Sequence, residues 1–462
     1  MQKRERLGSR LGFILLSAGC AIGLGNVYRF PIWTGGYGGA IFLVFYLLFL
    51  ILLGIPVMTA ELTVGRASQR SIATSFDVLE KKGQKWHWMK VLGVFGNYML
   101  MMFYTTISGW FLVYFWKYLD GSILQYTTAE ELGSVFGGIA SSAGLNIPVT
   151  ILVIAMCFGI CAIGLQKGVE RITKVMMVML LLLILALGIY ACTLSGAAAG
   201  LKFYLVPSTK TLTDNNIPLT QVISAAMSQA FFTLSLGIGS IAIFGSYIDK
   251  ERSLLGEGIT IVCLDTFVAI MSGLVIFPAY FTFNPGTTGI SADQAGAGFL
   301  FTTLSSIFNN MAGGRVIGTA FFLFMVFAAL STVIAVFENI MSFWLEWTKL
   351  KRWQIALINI AAFAVLTLPF IYSNVGGVLS EKIFLGRNFG DFEDFLVSNI
   401  ALPFGSLIYV LFCTHRCGWG WNNYFAEVNA GKGMKVPQWA RFYMSWILPL
   451  IILVVLVMSI LG

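Results

Sequence analysis

Long apolar runs recur from one end of the chain to the other, and each is long enough to cross a lipid bilayer as a helix. A spanning helix needs about 20 mostly apolar residues. Eleven segments meet that length, near 10–35, 41–66, 90–119, 147–165, 170–194, 220–247, 257–284, 316–347, 353–373, 393–414 and 440–461. Inside lipid every backbone N–H and C=O must be paired within the protein, so such segments fold as helices. The expectation is an all-α polytopic membrane protein with eleven transmembrane helices, solvated by the lipid bilayer. Charged residues are 11% of the 462, against about 25% in soluble domains. That leaves no room for a large soluble domain. A polar, glycine-rich stretch, 285–315, separates the seventh and eighth runs, and its weakly amphipathic piece Gly298–Asn309 reads as a helix lying on the outer face.

The net charge of +8 would by itself suggest an anionic partner such as nucleic acid. Its distribution argues for topology instead. With the N-terminus in the cytoplasm, 22 of the 29 lysines and arginines fall on the cytoplasmic side, as the positive-inside rule requires. No nucleic-acid partner is needed. Eleven crossings then put the C-terminus outside, and the setting is the plasma membrane, the inner membrane of a bacterium. Lys3, Arg4, Arg6 and Arg10 followed by an apolar stretch look like a signal peptide start, but no small-residue cleavage site follows, so this reads as a retained first span. The seven cysteines are scattered, mostly in apolar runs, where a thiol behaves as a small hydrophobe. Cys413 and Cys417 flank His415, but the only other histidine is His87. That is too few ligands at workable spacing for a metal site.

Two runs are interrupted at their middles. The first reads AGCAIGLGN (Ala18–Asn26) and the sixth FFTLSLGIG (Phe231–Gly239). Glycine inside a helix costs about 1 kcal/mol relative to alanine, and several together suggest a broken helix. Glycine also serves close helix packing, but packing does not ask for breaks five spans apart. Matching breaks in two halves point to a transporter binding site at the bilayer midplane.

The segments GLGNVYRFP (Gly23–Pro31), FFTLSLGIG and AALST (Ala328–Thr332) resemble the signatures of the neurotransmitter:sodium symporter family, in particular its bacterial LeuT-type amino acid transporters. The resemblance covers essentially the whole chain, and eleven spans occur among bacterial members. It implies a five-plus-five inverted repeat, 10–194 and 220–414, with an extra helix at 440–461, in one transporter domain spanning 1–462. It implies sodium-coupled symport by alternating access, with sodium bound at two sites. The first site would use Ala21, Asn26, Thr233 and Asp265, and the second Gly19, Ile22, Ala328, Ser331 and Thr332. These are hard oxygen donors suited to an alkali cation; the softer donors that transition metals prefer are missing. Isolated hydroxyls such as Ser331 and Thr332 usually bond back to their own helix, so the motif match carries that assignment.

The resemblance also places the substrate. Tyr104 and the backbone near Leu24 and Gly25 would take a carboxylate, and the carbonyls of Phe232 and Ser235 an amine. Half-helix termini favour those charges in that order. Ala21, Phe231 and Thr233 border the same site, and Leu100, Ile107, Phe232, Ile238, Thr332 and Val336 would line the side-chain pocket. No charged residue is among them, so a neutral, hydrophobic or aromatic amino acid is expected. Arg29 and Asp394 match the outer gate, with Tyr104 and Phe232 closing beneath them. Arg4 and Glu346 match the inner pair, with Ser246 and Tyr247 beside them. Glu61 matches a buried carboxylate expected to support the first break. Leu7 replaces a tryptophan near the inner gate, and Val178 a proline of the fifth span.

Asp265 is the informative departure. It lies in GITIVCLDTFVAIMSG with no basic residue near it in sequence, and an intramembrane carboxylate marks function by default. The type member has asparagine here. Four residues on, where chloride-dependent relatives carry serine, this chain has Ala269. Tyr46, Gln229 and Thr233 are the remaining positions of that anion site. A fixed carboxylate there would balance sodium charge, so transport is expected to be chloride-independent. Two alternatives remain at this stage: a sodium-independent exchanger of the same fold, and a channel. A channel needs a continuous polar path, and neither a charged ring nor a repeated filter loop is present. HExxH and GxSxG motifs are also missing, so the chain does not read as an enzyme.

Overall fold

The computed structural model describes residues 7–287, 290 and 298–461. Among them, nine helices are long and apolar enough to span a bilayer: Ala40–Ser68, Trp86–Asp120, Ala143–Ile163, Leu165–Cys192, Leu254–Phe283, Gly314–Trp347, Arg352–Val375, Phe389–Thr414 and Ala440–Ile460. A tenth crossing is the bent pair Arg10–Ala21 and Gly25–Gly36, whose halves meet at 52°. The eleventh is more deeply interrupted. Its helix Leu219–Thr233 ends eight residues before the short turn Ala242–Gly245. Taken in chain order these are spans one to eleven, and no strand occurs among the described residues. The segment boundaries agree with the sequence expectation to within a few residues at most ends.

The breaks form where the expected glycines lie, for a reason visible in the backbone. In the sixth span Ser235, Gly237 and Gly239 have φ of 51°, 96° and 75°. L-residues seldom take those values, and glycine takes them freely. A Cβ on Gly237 would also stand 2.0 Å from the Leu402 carbonyl oxygen. The backbone groups released by the break find partners on neighbouring spans. Gly237 N–H donates to the buried Glu61 carboxylate, and Asn97 Nδ2 donates to the Ile238 carbonyl at 2.8 Å. Glu61 thus braces the break of the sixth span. The sequence reading gave it to the first.

The third and eighth spans pack against each other. The piece Gly298–Asn309 is helical from Leu300 onward, but it does not lie on a face. Leu300, Phe301, Leu304, Ile307 and Phe308 are buried. Phe301 stacks on Phe136 at 4.5 Å between centroids, within an aromatic cluster with Tyr114 and Phe322. The amphipathic reading missed this because the covering helix, Ala129–Ala140, went unrecognised. Its signal was present in Thr128 and Glu131, which form a capping box.

Most loops rich in lysine and arginine gather on one end of the bundle, here called the basic face. There the short helix Trp421–Val428 presents Glu427 to Arg66 at 2.8 Å and to Lys250 at 2.7 Å, tying the second span to the loop after the sixth. Replacing Gly237 with alanine forces both a disfavoured φ and a clash with Leu402. A loss of about 1–3 kcal/mol is expected, measured as a lowered unfolding temperature in detergent.

Candidate functional site

The two breaks face each other, and the eighth span closes the space between them. Because the first span stops at Ala21 and restarts at Gly25, several carbonyls at its break lose their helical N–H partners. The AALST segment brings two hydroxyls to them. Thr332 Oγ1 lies 3.1 Å from the Gly19 carbonyl, 3.4 Å from Cys20 and 3.3 Å from Ile22. Ser331 Oγ lies 3.0 Å from the Ala328 carbonyl and 3.5 Å from that of Ile22. All five residues expected at the second sodium site are thus brought together. Ser235 Oγ reaches the Cys20 carbonyl at 3.5 Å. Even so, three hydroxyl hydrogens face four carbonyls, and oxygen lone pairs outnumber donors. Such a nest of neutral oxygens suits a cation.

Around the corner of the same break lies a second polar cluster. Asn26 Nδ2 donates to the Asp265 carboxylate at 2.8 Å and to its carbonyl at 2.9 Å. Thr233 Oγ1 donates to that carboxylate at 3.2 Å. Asn26 Oδ1 accepts from Gly23 N–H at 3.2 Å. Asn26, Thr233 and Asp265 therefore meet, and Asp265 is completely buried. Tyr46 stands beside Thr233 and Asp265, and Gln229 Nε2 donates to the Gly25 carbonyl at 2.7 Å. Ser272, which the sequence reading missed, fixes the Asn26 carbonyl at 2.8 Å.

Between these clusters lies a chamber whose walls have closed to about 10 Å³. Ala21, Gly25, Leu100, Tyr104, Phe232, Ser235 and Thr332 line it, as expected, and so do Gly23 and Leu402, which were not foreseen. Leu24 N–H donates to the Tyr104 hydroxyl at 2.8 Å. A Cβ on Gly23 would stand 2.2 Å from that hydroxyl and 2.3 Å from Thr332 Oγ1. Glycine is required there by close approach, a role that no reading of loop flexibility suggests. The remaining pocket expectations lie elsewhere. Ile107 lines a larger cavity above the chamber, of about 350 Å³. Phe231, Ile238 and Val336 are buried in the packing around it and do not border the closed chamber.

That upper cavity is cut off from the chamber by Phe232 and Arg29. The guanidinium sits 4.3 Å over the Phe232 ring and 4.1 Å over Trp33. It reaches Asp394 at 3.4 Å directly and through Ser398, which accepts from Arg29 at 2.8 Å and donates to Asp394 at 2.6 Å. Ser398 was not anticipated.

Toward the basic face the path is closed as well. Arg4 lies outside the described residues. Glu346 accepts from Ser71 N–H and Oγ, each at 2.8 Å, and from Thr74 Oγ1 at 2.5 Å. Among the described residues, neither Ser246 nor Tyr247 bonds to it directly. Ser246 bonds back to Ile243, and Tyr247 reaches Glu338 at 3.1 Å and Ser342 at 3.0 Å. Arg352 completes that network on Glu338 and the Cys161 carbonyl. Glu170 holds the start of the first span. It accepts from Gly8 N–H at 2.8 Å and Ser9 Oγ at 3.3 Å and pairs with Lys174 at 2.8 Å. Leu7, in place of a tryptophan, is half-buried beside this anchor, and Val178 is exposed on the fifth span.

With this geometry in hand, comparison with known proteins is direct. A profile of the sodium:neurotransmitter symporter family matches residues 4–131 and 123–462. The uncharacterized sodium-dependent transporter YhdH of Bacillus subtilis is 32% identical over 98% of this chain and 97% of its own length. An uncharacterized sodium-dependent transporter of Methanocaldococcus jannaschii is 28% identical, covering 97% and 89%. The crystal structure of MhsT in complex with L-phenylalanine superposes with a TM-score of 0.86 at 36% identity, covering 99% of this chain and 100% of that one.

The anchor on Glu170 has a measurable consequence. Cys20 is buried behind it, whereas Cys192, Cys263 and Cys417 are exposed. With the exposed three replaced by serine, Glu170→Gln should raise the rate of Cys20 alkylation several-fold by letting the first span open more often. An unchanged rate would remove Glu170 from the closure.

Proposed function

The chain belongs to the sodium:neurotransmitter symporter family, and from that premise we propose that it carries a neutral, hydrophobic or aromatic amino acid inward with sodium, without chloride. The coarser part is given by the family: this is a sodium-coupled membrane transporter of the LeuT fold, with transporters rather than enzymes as its relatives. The sodium part of the reading rests chiefly on one observation, the nest in which Gly19, Ile22, Ala328, Ser331 and Thr332 converge with more lone pairs than donors, and the substrate class on the apolar lining of the chamber by Leu100, Phe232 and Leu402.

In this reading sodium is cargo and enters at two places. One ion replaces the hydroxyl contacts of the Ser331–Thr332 nest. The other sits between Ala21, Asn26, Thr233 and Asp265. The substrate carboxylate meets Tyr104 and the restart of the first span at Gly25, where the helix dipole is positive. Its amine meets the carbonyl end of Leu219–Thr233, where the dipole is negative. Its side chain enters among Leu100, Phe232 and the apolar residues behind them. L-phenylalanine in MhsT supports this class of substrate.

The N-terminus is placed in the cytoplasm of a bacterial cell and the C-terminus outside, so the basic face is cytoplasmic. Arg29, Asp394 and Phe232 then form the outer gate. Glu346, Tyr247 and the Glu170 anchor, with Arg4, form the inner one. The repeats 10–194 and 220–414 move against each other while the span at 440–461 stands aside. A gate of this kind needs only to be more stable in one state than in the other.

Thermal unfolding of the purified protein, scanned over the common amino acids in sodium and then in potassium, tests the reading. A ligand at 100 times its Kd adds about 2.7 kcal/mol to the folded state. One or a few neutral amino acids should stabilise the protein in sodium only. Ser331→Ala combined with Thr332→Val should abolish that sodium dependence. No stabilisation by any amino acid in either salt would refute the assignment. Chloride supplies a separate test. Wild-type transport should ignore chloride, and Asp265→Asn should fail without chloride and recover with it. An Asp265→Asn protein with unchanged, chloride-insensitive transport would show that the carboxylate does not replace the anion.

A further inference from the structure

Two turns below Tyr104 and Thr332, toward the basic face, three buried polar side chains meet: Asn97, Ser240 and Asn339. Asn97 Nδ2 is spent on the carbonyls of Gly93 and Ile238, at 2.7 and 2.8 Å. Its Oδ1 accepts from Ser240 Oγ and from Asn339 Nδ2, each at 3.1 Å. Asn339 Nδ2 also reaches the Gly239 carbonyl at 3.4 Å. The orientation of the Asn339 amide is therefore fixed by chemistry. Both of its neighbours are acceptors, so nitrogen must face them and Oδ1 must face away. That Oδ1 is fully buried and has no hydrogen-bond partner among the described residues. Leaving a buried acceptor unpaired costs on folding, and such groups persist where a ligand completes them.

Helix periodicity says where the trio stands. On the third span, Tyr104, Leu100 and Asn97 fall four and then three residues apart. On the eighth, Thr332, Val336 and Asn339 repeat that spacing. Residues so spaced share one helix face, and in each helix the polar residue lies seven positions, about 10 Å, from the group at the head of the site. Asn97 and Asn339 thus reach the same depth from two spans, beneath Leu100 and Val336, and Ser240 joins them from the break of the sixth.

Resting on the amino acid reading above, we propose that Asn339 is a specificity residue, held by Asn97 and Ser240 so that its free carbonyl oxygen accepts a hydrogen bond from the far end of the carried side chain. The fitting substrate is an aromatic amino acid with a donor at its para position, L-tyrosine. With its carboxylate at Tyr104 and its ring among the apolar walls, its phenol hydroxyl arrives at the depth of Asn339. L-phenylalanine fills the same walls but leaves the acceptor unpaired. A site built to hydrogen-bond a substrate hydroxyl discriminates strongly against the analogue that lacks it.

The test is equilibrium binding to the purified full-length protein in sodium. L-tyrosine should bind at least about tenfold tighter than L-phenylalanine, the ratio that one hydrogen bond of about 1.4 kcal/mol gives. Para-aminophenylalanine, which carries a donor, should follow tyrosine, and para-fluorophenylalanine, which does not, should follow phenylalanine. Asn339→Leu should weaken tyrosine and leave phenylalanine as tight or tighter. The ligand series uses wild-type protein alone, so it decides even if the variant fails to fold. If phenylalanine binds as tightly as tyrosine, or if Asn339→Leu weakens both alike, the inference is overturned while the amino acid reading stands. If no amino acid binds in sodium, the broader reading fails with it.

Discussion

Everything in this protein follows from backbone that has left the helix in a place without water. The breaks at Ile22–Leu24 and Leu234–Ile241 release N–H and C=O groups that lipid cannot satisfy. The released N–H groups are paired at once: Gly23 with Asn26, Leu24 with Tyr104, Gly237 with Glu61. The released carbonyls at the first break are treated differently. Gly19, Cys20 and Ile22 are met by hydroxyls that are fewer than the lone pairs they face. These donors find partners while acceptors are left in surplus, and that asymmetry gives a structural defect the donor set a cation would need.

Charge follows the same logic. A dehydrated sodium ion brings positive charge into a low-dielectric site, where an uncompensated charge is costly. Asp265 is the carboxylate at hand, fully buried and held by Asn26 and Thr233. Its second task is mechanical. Asn26 belongs to the first break, Thr233 to the end of the sixth span's first half, and Asp265 to the seventh span. One carboxylate therefore reports the position of three elements to each other, and a cation seated there would tie them more tightly.

Much of this was legible in the sequence because the signals are local. Apolar runs give the spans, paired glycines give the breaks, and Ser331–Thr332 and Asn26 announce themselves by lying where hydroxyls and amides are out of place. Long-range partners were harder. Glu170 lies in LQKGVE, a segment that reads as an ordinary charged helix end, and only the fold brings Gly8 and Ser9 onto it. Tyr247 was expected beside Glu346 but meets Glu338, which lies eight residues earlier on the eighth span, about two helical turns away, and no spacing rule could rank the two carboxylates. Ile107 was expected in the pocket and lies above it, since a residue three positions beyond Tyr104 on the third span has already passed the Phe232 barrier. The helix Ala129–Ala140 was missed for a different reason: its capping box sits in a polar stretch between two strong apolar signals, which hid it.

The two closures differ in kind. The Arg29 side is a single charged side chain sandwiched by Trp33 and Phe232 and tethered by one serine to one carboxylate. The basic face is closed by several contacts, on Glu170, Glu338, Glu346 and Glu427, each drawing together segments distant in sequence or on successive helices. The Arg29 closure thus hangs on one buried guanidinium and the single carboxylate it reaches. A closure built from many buried carboxylates must lose them together, and their costs add when they do not share partners. On the proposed alternating-access reading, the Arg29 side has fewer contacts to lose than the basic face. On the same reading, an ion in the oxygen nest and a solute in the chamber would touch both breaks at once. Coupling of ion, solute and motion would then need no separate device, because the groups proposed to bind are the same groups that hold the broken helices in place.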